Sequence, residues 1–528
     1  MDEDENEDER FDTSRLRRDR YRRKLDKGLA GAPDEAFFQQ VWATDALQAG
    51  RPDVAGRYLT FPHEALTAGL GDEGHIFGWS LESLINERLR LPVFAPQPDQ
   101  RRVQVTRTDS FEVLAWLAAC LNQLENAESG IVLKRLDVLR EMPRLLHRQF
   151  EYQRGFQNGP QLYRWAFLYG GPLCTAHFKA KTGLTMADLI KAGYLIRHQF
   201  TLGPVWSPEV LRRAAGPDVH AGDAVLRLLS RPLAEARKGA RAQHAPRAGV
   251  AYQASQLRRS PIIAFGPKGD RLRAPIPDLI LARITSGVFY DLVDAPSGAR
   301  NEAGKRFELY VADLLNAHLP AFKAGPGQGY RFRNGPIDGA DVLLENGDAA
   351  LVAVFECKAR KMSLATRYAE DRAAETGVDE LVKGVFQIWR FFAHHRLGLV
   401  PGPAPDASTV GVLVTLDNWM TMSADLQRSV LDRARTMAWE KAVGIETCDQ
   451  RPVVFCSIDD LESTLQRADE PLFVADLQRA TEERFTGWML PNVHRDIDTG
   501  IRKPFPLAHR LHEVLPWMPP RPPQGASS

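Results

Sequence analysis

The sequence predicts a multidomain protein of class α plus α/β, in which a helical N-terminal domain precedes an α/β domain with a mixed central sheet. Two observations carry this prediction. Apolar residues recur at three- and four-residue steps over residues 36–232, whereas the chain after Asn301 alternates helix-like segments with short apolar strand-like segments. The chain has 528 residues, more than one core ordinarily holds, so several domains are expected.

The composition is that of an ordinary globular protein. Hydrophobic residues make up 44% and charged residues 26% of the chain, which excludes collagen-like, wholly disordered and disulfide-scaffold classes. Lys plus Arg number 68 against 67 for Asp plus Glu, so net charge alone predicts neither a nucleic-acid nor a membrane partner. The five cysteines lie far apart, and no signal peptide or membrane span is evident. We therefore expect a soluble, cytoplasmic protein with no membrane partner.

Residues 1–35 consist of two blocks of opposite charge. Seven acidic residues lie between Asp2 and Glu9, and eight basic residues follow between Arg15 and Lys27. Such blocks predict a charged flexible tail. An arm that contacts nucleic acid through its arginines is the alternative interpretation.

The helical domain predicted over residues 36–232 contains a candidate helix-turn-helix. The segment FKAKTGLTMADLIKAGYLI has a turn at Gly183 and a second helix that Thr185 is placed to cap. Ordinary helical packing has the same outline. The second helix presents mainly Asp188 and Lys191, which are not plain base-reading side chains.

A locally basic segment, residues 233–295, follows the helical domain. Between Arg231 and Arg273 there are ten basic residues and two acidic ones. The segment is also rich in Ala, Gly and Pro, so it predicts either a flexible linker or a basic connector that contacts nucleic-acid phosphates. In the second interpretation the candidate nucleic-acid-binding residues are Arg258, Arg259, Arg271 and Arg273.

Residues 296–490 are predicted to be one compact α/β domain. The helix EAGKRFELYVADLLNAHL precedes a strand pair in ADVLLENGDAALVAVFECKAR, which a long helix to about His395 follows. The strand TVGVLVTL, a further helix and the strand PVVFCS complete the domain. Residues 491–528 are predicted to be a Pro-rich C-terminal tail.

The strand LVAVFECK carries polar groups at its end. Alternation along a strand sends Glu356 and Lys358 to the same face. A hairpin turn before this strand folds the chain back and brings Asp341 to about the level of Glu356. Two carboxylates, an amine and the backbone carbonyl of Cys357 should then converge. Such oxygen donors suit Mg²⁺ or Mn²⁺, and Lys358 could orient or deprotonate an attacking water.

These residues resemble a known family. Asp341, followed fifteen positions later by Glu356-Cys357-Lys358, is similar to the signature of the PD-(D/E)XK nuclease superfamily, which has a restriction-endonuclease-like fold. The resemblance covers about residues 296–480. It implies that Asp341 and Glu356 bind the metal and that Lys358 assists the nucleophile.

The resemblance extends to the two helices that flank the strand pair. Domains of this family often carry a glutamate on the helix before the sheet and a glutamine on the helix after it, where this sequence has Glu308 and Gln387. By resemblance, Glu308 supports the metal or its waters and Gln387 helps to position the site. One departure is that Pro336 precedes Asp338 and not Asp341, so Asp338 is a competing metal ligand.

The resemblance implies a function as well. It implies a Mg²⁺-dependent nuclease, an endodeoxyribonuclease with DNA as the preferred substrate, in restriction or anti-phage defence. A repair or recombination nuclease is an alternative, as is a non-catalytic nucleic-acid-binding or assembly subunit with the same fold. A transcriptional regulator led by the helical domain is a further alternative. Protein partners in a defence or repair complex, or an oligomer, are compatible with each of these.

Overall fold

The structure is a computed structural model. The chain folds into two compact units. The N-terminal unit comprises Met1–Glu141, Arg148–Gln157 and Phe178–Asp291, and the C-terminal unit comprises Met142–His147, Asn158–His177 and Leu292–Ser528. The chain is therefore multidomain and combines helices with mixed sheets, as the sequence predicts. The residues that the structure describes are 2–93, 105–133, 138–156, 158–216, 218–245, 249–333, 335–363, 366–367, 377–419, 423–441, 443–495 and 502–520.

The N-terminal unit is mainly helical and has its own apolar core. Leu29, Phe38, Trp42, Leu84 and Leu121 belong to that core. The helices Val138–Arg154 and Pro172–Thr182 each contribute residues to both units. The other helices of this unit are Asp2–Ala30, Asp34–Gln48, Pro52–Ala55, His63–Thr67, Gly78–Arg90, Phe111–Val132, Met186–Leu202, Pro208–Ala215, Val219–Leu229, Leu233–Ala242 and Asp278–Ile284.

Residues 13–35 are not the flexible tail that the charge blocks predict. The helix Asp2–Ala30 packs against the helix Phe111–Val132 and buries Leu25 and Leu29. Arg22 forms an ion pair with the buried Glu87. The prediction was wrong here because two leucines spaced four apart suffice to bury one helix face, while the charges around them dominate the composition.

The basic segment 233–295 is also folded, so it is not the flexible linker that its composition suggested. Its strands β2 (Ile262–Phe265) and β3 (Arg271–Arg273) form a sheet with β1 (Ser230–Pro232). β1 pairs with β2 in parallel, and β2 pairs with β3 in antiparallel orientation. Ile263 is fully buried in the unit's core. The apolar residues between the cations thus pack in the core, which a count of charged residues does not reveal.

The turn at Gly183 and the helix after it have the predicted local geometry. Gly183 has a φ of 80°, a conformation that favours glycine. The Thr185 side chain accepts a hydrogen bond from the backbone amide of Asp188, and the Asp188 side chain accepts one from the backbone amide of Thr185. The helix buries Leu189 and Ile190. Because Asp188 serves as a cap and the helix packs on its neighbours, these contacts favour ordinary helical packing over a recognition helix.

The C-terminal unit is built on a five-stranded mixed sheet. Its strands are β4 (Lys323–Gly325), β7 (Val342–Glu345), β8 (Leu351–Lys358), β9 (Pro405–Thr415) and β10 (Val453–Ser457), and β5 (Tyr330–Phe332) and β6 (Gly335–Ile337) form a separate hairpin. The order is β10-β9-β8-β7-β4. β4, β7 and β8 pair in antiparallel orientation, and β8, β9 and β10 pair in parallel. The sheet is therefore mixed, as predicted, with β8 at its centre.

Helices cover this sheet and fix the surroundings of β8. Ser297–His318 and Val378–Arg396 both contact β8, and the second helix lies in the crossover that the parallel pair β8 and β9 requires. The core includes Val354, Trp389 and Leu413. The remaining helices of the unit are Gly159–Tyr169, Ala424–Lys441, Ile458–Leu465, Glu470–Ala480, Leu490–Arg495 and Leu511–Val514.

The boundaries of the predicted α/β domain change at both ends. The helix Gly159–Tyr169, predicted within the helical domain, packs on Ser297–His318, and its Arg164 pairs with Glu462 at 2.5 Å. At the other end Leu511 and Leu515 are buried, so the folded part extends into the predicted Pro-rich tail. Residues 521–528 of that tail lie outside the described residues. None of the helices in the described part of the chain combines the length and hydropathy of a membrane span.

Candidate active site

Strand pairing determines the position of Asp341. Val342 of β7 lies opposite Phe355 of β8, so Asp341, one residue earlier, falls at the level of Glu356. Its Oδ2 accepts a 2.7 Å hydrogen bond from the backbone amide of Cys357. Burial raises the pKa of Asp341, and the Cys357 amide and a side-chain contact with Glu356 act in the opposite direction. The two carboxylates thus meet across the hairpin, as the alternation and the turn predict.

Lys358 is held by two side chains. Its Nζ donates to Oε1 of Glu356 at 2.6 Å and to Oε1 of Gln387 at 2.8 Å. The Lys358 side chain is 15% exposed and that of Glu356 is 7% exposed. The amine is therefore fixed at the strand end beside the carboxylates and is not extended into solvent. Gln387 comes from the helix Val378–Arg396, where the resemblance expects a glutamine.

Gly384 lets that helix approach β8 closely, and it is a residue that sequence reasoning missed. A Cβ atom at this position would lie 2.5 Å from Cδ1 of Leu413 and 3.1 Å from Cε of Lys358. Any side chain would push the helix, and Gln387 with it, away from the strand. A glycine inside a helix costs about 1 kcal/mol relative to alanine. Its place one turn before Gln387 is the signal that could have identified it.

Glu308 faces the same site from the helix Ser297–His318. The side chain is half-buried, and burial together with the charge of Asp341 raises its pKa to about 7. Lys305 and Lys358 act in the opposite direction. Because Asp341 and Lys358 both act on it, Glu308 shares their electrostatic environment. The helix thus presents Glu308 to the site, and not to open solvent alone.

Burial disfavours the ionised forms of the carboxyl groups at this site and raises their pKa values. The pKa of Glu356 is raised to about 8, because burial and the charge of Asp341 outweigh the opposing effect of Lys358. Burial also raises the pKa of Asp341, against the effects of the Cys357 amide and Lys358. A cation held by these oxygens would stabilise their ionised forms. The donor set therefore fits a hard divalent metal such as Mg²⁺ or Mn²⁺.

The backbone carbonyl of Cys357 adds a third oxygen. The N–H and C=O of one strand residue point to the same side of the strand, and the Cys357 amide points to Asp341. The carbonyl of Cys357 therefore points to the same side of β8 as Asp341, which directly precedes β7. Within the described residues no group of three or more His, Cys, Asp or Glu side chains could hold a metal alone. The candidate ligands are thus two carboxylates and one carbonyl, with Glu308 nearby.

Asp338 lies close enough to remain an alternative ligand. It lines a narrow pocket together with Glu356 and Gln387, and its charge raises the pKa values of Asp341 and Glu308. Asp341 alone of the two aspartates accepts the hydrogen bond from β8. The geometry therefore favours Asp341 as the ligand and puts Asp338 at the rim of the pocket.

Three of the four arginines predicted to contact nucleic acid have acidic partners within the N-terminal unit. Arg258 pairs with Glu82 at 2.7 Å and also with Glu151. Arg271 pairs with Glu35 at 2.7 Å, and Arg273 pairs with the same carboxylate at 3.2 Å. Arg259 is exposed. A guanidinium already matched with carboxylates adds little attraction for phosphates, so the structure argues against the predicted role of Arg258, Arg271 and Arg273.

Comparison of this chain with protein-family models, with curated proteins and with solved structures found no match. The description of the site therefore depends on its residues and on their geometry.

Proposed function

We propose that this chain is a Mg²⁺- or Mn²⁺-dependent nuclease that hydrolyses phosphodiester bonds of DNA. The observation that carries the proposal is the contact of Asp341, Glu356, Lys358 and Gln387 at the end of β8. The mixed sheet, with Glu308 on the helix before the catalytic strands and Gln387 on the helix after them, agrees with what the resemblance to the PD-(D/E)XK superfamily implies. We accordingly assign the C-terminal unit a restriction-endonuclease-like fold.

The residues of the site have separate roles in this proposal. Asp341, Glu356 and the carbonyl of Cys357 would hold the metal, which polarises the phosphodiester and lowers the pKa of a bound water. Lys358 has three N–H donors, of which Glu356 and Gln387 take two. The third is available to orient the attacking water or a phosphate oxygen beside the metal ligands.

Gln387 acts as a positioning residue. Its amide oxygen accepts the hydrogen bond from Lys358, and its amide nitrogen has two donors of its own. The rigid helix behind it keeps the lysine amine in one place as substrate binds. Glu308 supports the site through its charge, because it can accept hydrogen bonds from waters around the metal when it is ionised.

The biological role follows from the resemblance and not from the geometry. We assign the activity to restriction or anti-phage defence in the cytoplasm, with protein partners of a defence complex. A repair or recombination nuclease would use the same site chemistry. A cleavage assay distinguishes a nuclease in any of these roles from a binding subunit, because a binding subunit would cut no substrate.

The direct test is cleavage by the purified full-length chain. Plasmid, linear and single-stranded DNA, and RNA, are incubated with Mg²⁺, Mn²⁺ or a chelator. We expect metal-dependent cutting of DNA by the wild type and a loss of about 10²–10⁴ in rate for Lys358→Ala. Lys323→Ala, which changes an exposed lysine on the edge strand β4, is the matched control and should cut like the wild type. Wild-type protein that cuts none of these substrates, or a fully active Lys358→Ala protein, would overturn the proposal.

A further inference from the structure

Arg390 lies in the pocket beside Glu356 without an acidic partner. The side chain is half-buried and lines the pocket together with Glu356, Gln387 and Asp338. Within the part of the chain that the structure describes, no carboxylate oxygen lies within 4 Å of its guanidinium, and its buried Nε has no hydrogen-bond partner. By contrast, Arg396 on the same helix pairs with Asp449 at 2.8 Å. Arg390 is thus a half-buried cation that forms no ion pair within the described residues.

Tyr330, which lines the pocket with Arg390, is held by a chain of hydrogen bonds. Nε2 of His394 lies 3.1 Å from the carbonyl oxygen of Val443, and because a carbonyl only accepts, this nitrogen carries the proton. Nδ1 of His394 therefore accepts from the hydroxyl of Tyr330 at 2.9 Å. Burial raises the pKa of Tyr330, and the nearby Arg390 guanidinium acts in the opposite direction. Burial lowers the pKa of His394, which favours the neutral ring.

The position of Arg390 relates it to the candidate active site. Gly384, Gln387 and Arg390 follow each other at steps of three on the helix Val378–Arg396, so they share one helix face. Gly384 contacts β8, Gln387 contacts Lys358, and Arg390 extends the same face into the pocket. The charge of Arg390 also acts on Glu356. A substrate group in this pocket would lie next to the metal ligands.

We propose that Arg390 binds a phosphate group of the nucleic-acid substrate next to the bond that is cut. A guanidinium has five donors in a planar fork that matches phosphate oxygens. A phosphate is the ligand that fits this guanidinium, because Glu356 and Asp338, which line the pocket with it, form no ion pair with it in the described part of the chain. The inference rests on the proposed nuclease function and names the group that recognises the substrate backbone.

The test measures binding separately from cutting. Affinity for a labelled duplex is measured by fluorescence anisotropy across a salt series, with Ca²⁺ in place of Mg²⁺, and cutting is measured with Mg²⁺. We expect Arg390→Gln to bind about tenfold more weakly, with the salt slope reduced by about 0.9 for one lost phosphate contact. Arg435→Gln is the matched control, because Arg435 is an exposed arginine that pairs with Asp432 on another helix of the unit. This control should keep the wild-type slope.

Two further measurements separate a phosphate contact from a structural role. The first measurement uses Arg390→Lys, which keeps the charge. This variant should retain most of the dependence of binding on salt but should cut more slowly. It also serves as the test variant if Arg390→Gln does not fold. The second measurement uses a set of duplexes, each with one neutral methylphosphonate linkage. At one position this linkage should weaken binding by the wild type but should not weaken binding by Arg390→Gln any further. A structural role would instead lower the melting temperature and affect all linkages alike.

The outcomes for the two proposals are distinguishable. Wild-type slope and affinity in Arg390→Gln, together with normal cutting by the wild type, would overturn the assignment of Arg390 and leave the nuclease proposal standing. Binding that depends on Arg390 in a protein that cuts no substrate would overturn the nuclease proposal and keep the phosphate contact. A wild type that neither binds nor cuts nucleic acid would overturn both.

Discussion

Replacement of Gly384 by alanine should reduce activity far more than stability. The added Cβ would lie 2.5 Å from Cδ1 of Leu413, a fully buried side chain, and 3.1 Å from Cε of Lys358. Ordinary van der Waals contact begins near 3.5 Å, so the helix must move by about 1 Å. That movement would separate Gln387 from the Lys358 amine, now 2.8 Å away.

The two effects of this replacement on stability oppose each other. Overpacking of a filled core typically costs about 1–3 kcal/mol. Alanine in a helix interior gains about 1 kcal/mol over glycine. We therefore expect the free energy of unfolding to fall by about 0 to 2 kcal/mol from the sum of these effects. A 1 Å misplacement of catalytic groups costs about 10²-fold in rate.

The assay pairs urea denaturation with the rate of DNA cutting. Gly304→Ala is the control, since Gly304 lies in the helix Ser297–His318 and a Cβ there would meet nothing within 4 Å. It should raise stability by about 0.5–1 kcal/mol and leave the rate unchanged. A Gly384→Ala protein that folds normally and cuts at the wild-type rate would refute the close approach as the reason for this glycine.

The other predictions concern the metal, an ion pair and a histidine. Calorimetric titration with Mn²⁺ should show weaker binding for Asp341→Ala than for Asp338→Ala, and the reverse order would move the ligand to Asp338. Arg258→Ala should lower the free energy of unfolding in urea by about 3 kcal/mol, because it leaves the buried Glu82 unpaired, and unchanged stability would contradict this. Burial lowers the pKa of His318 from 6.5 to about 4, so His318 stabilises the fold above pH 6.5 and this contribution is lost as the pH falls toward 4. His318→Gln should therefore flatten that part of the stability profile measured by thermal unfolding.

The local part of the candidate site could be predicted because it depends on the period of the backbone. Alternation along β8 places Glu356 and Lys358 on one face in any fold, and the hairpin fixes Asp341 against them. The same reasoning predicted the cap at Thr185, which needs only four consecutive residues. Glu308 and Gln387 were expected from the resemblance and not from periodicity.

The tertiary structure alone decided which charged residues are neutralised. The partners of Arg258 lie 176 and 107 positions away in the chain, and no local pattern links them. Arg390, on a helix with several aromatic residues, gave no signal in the sequence, yet among the described residues it lines the candidate site without an ion pair. Local geometry follows from covalent structure, whereas the neutralisation of a charge depends on which distant segments the folded core brings together.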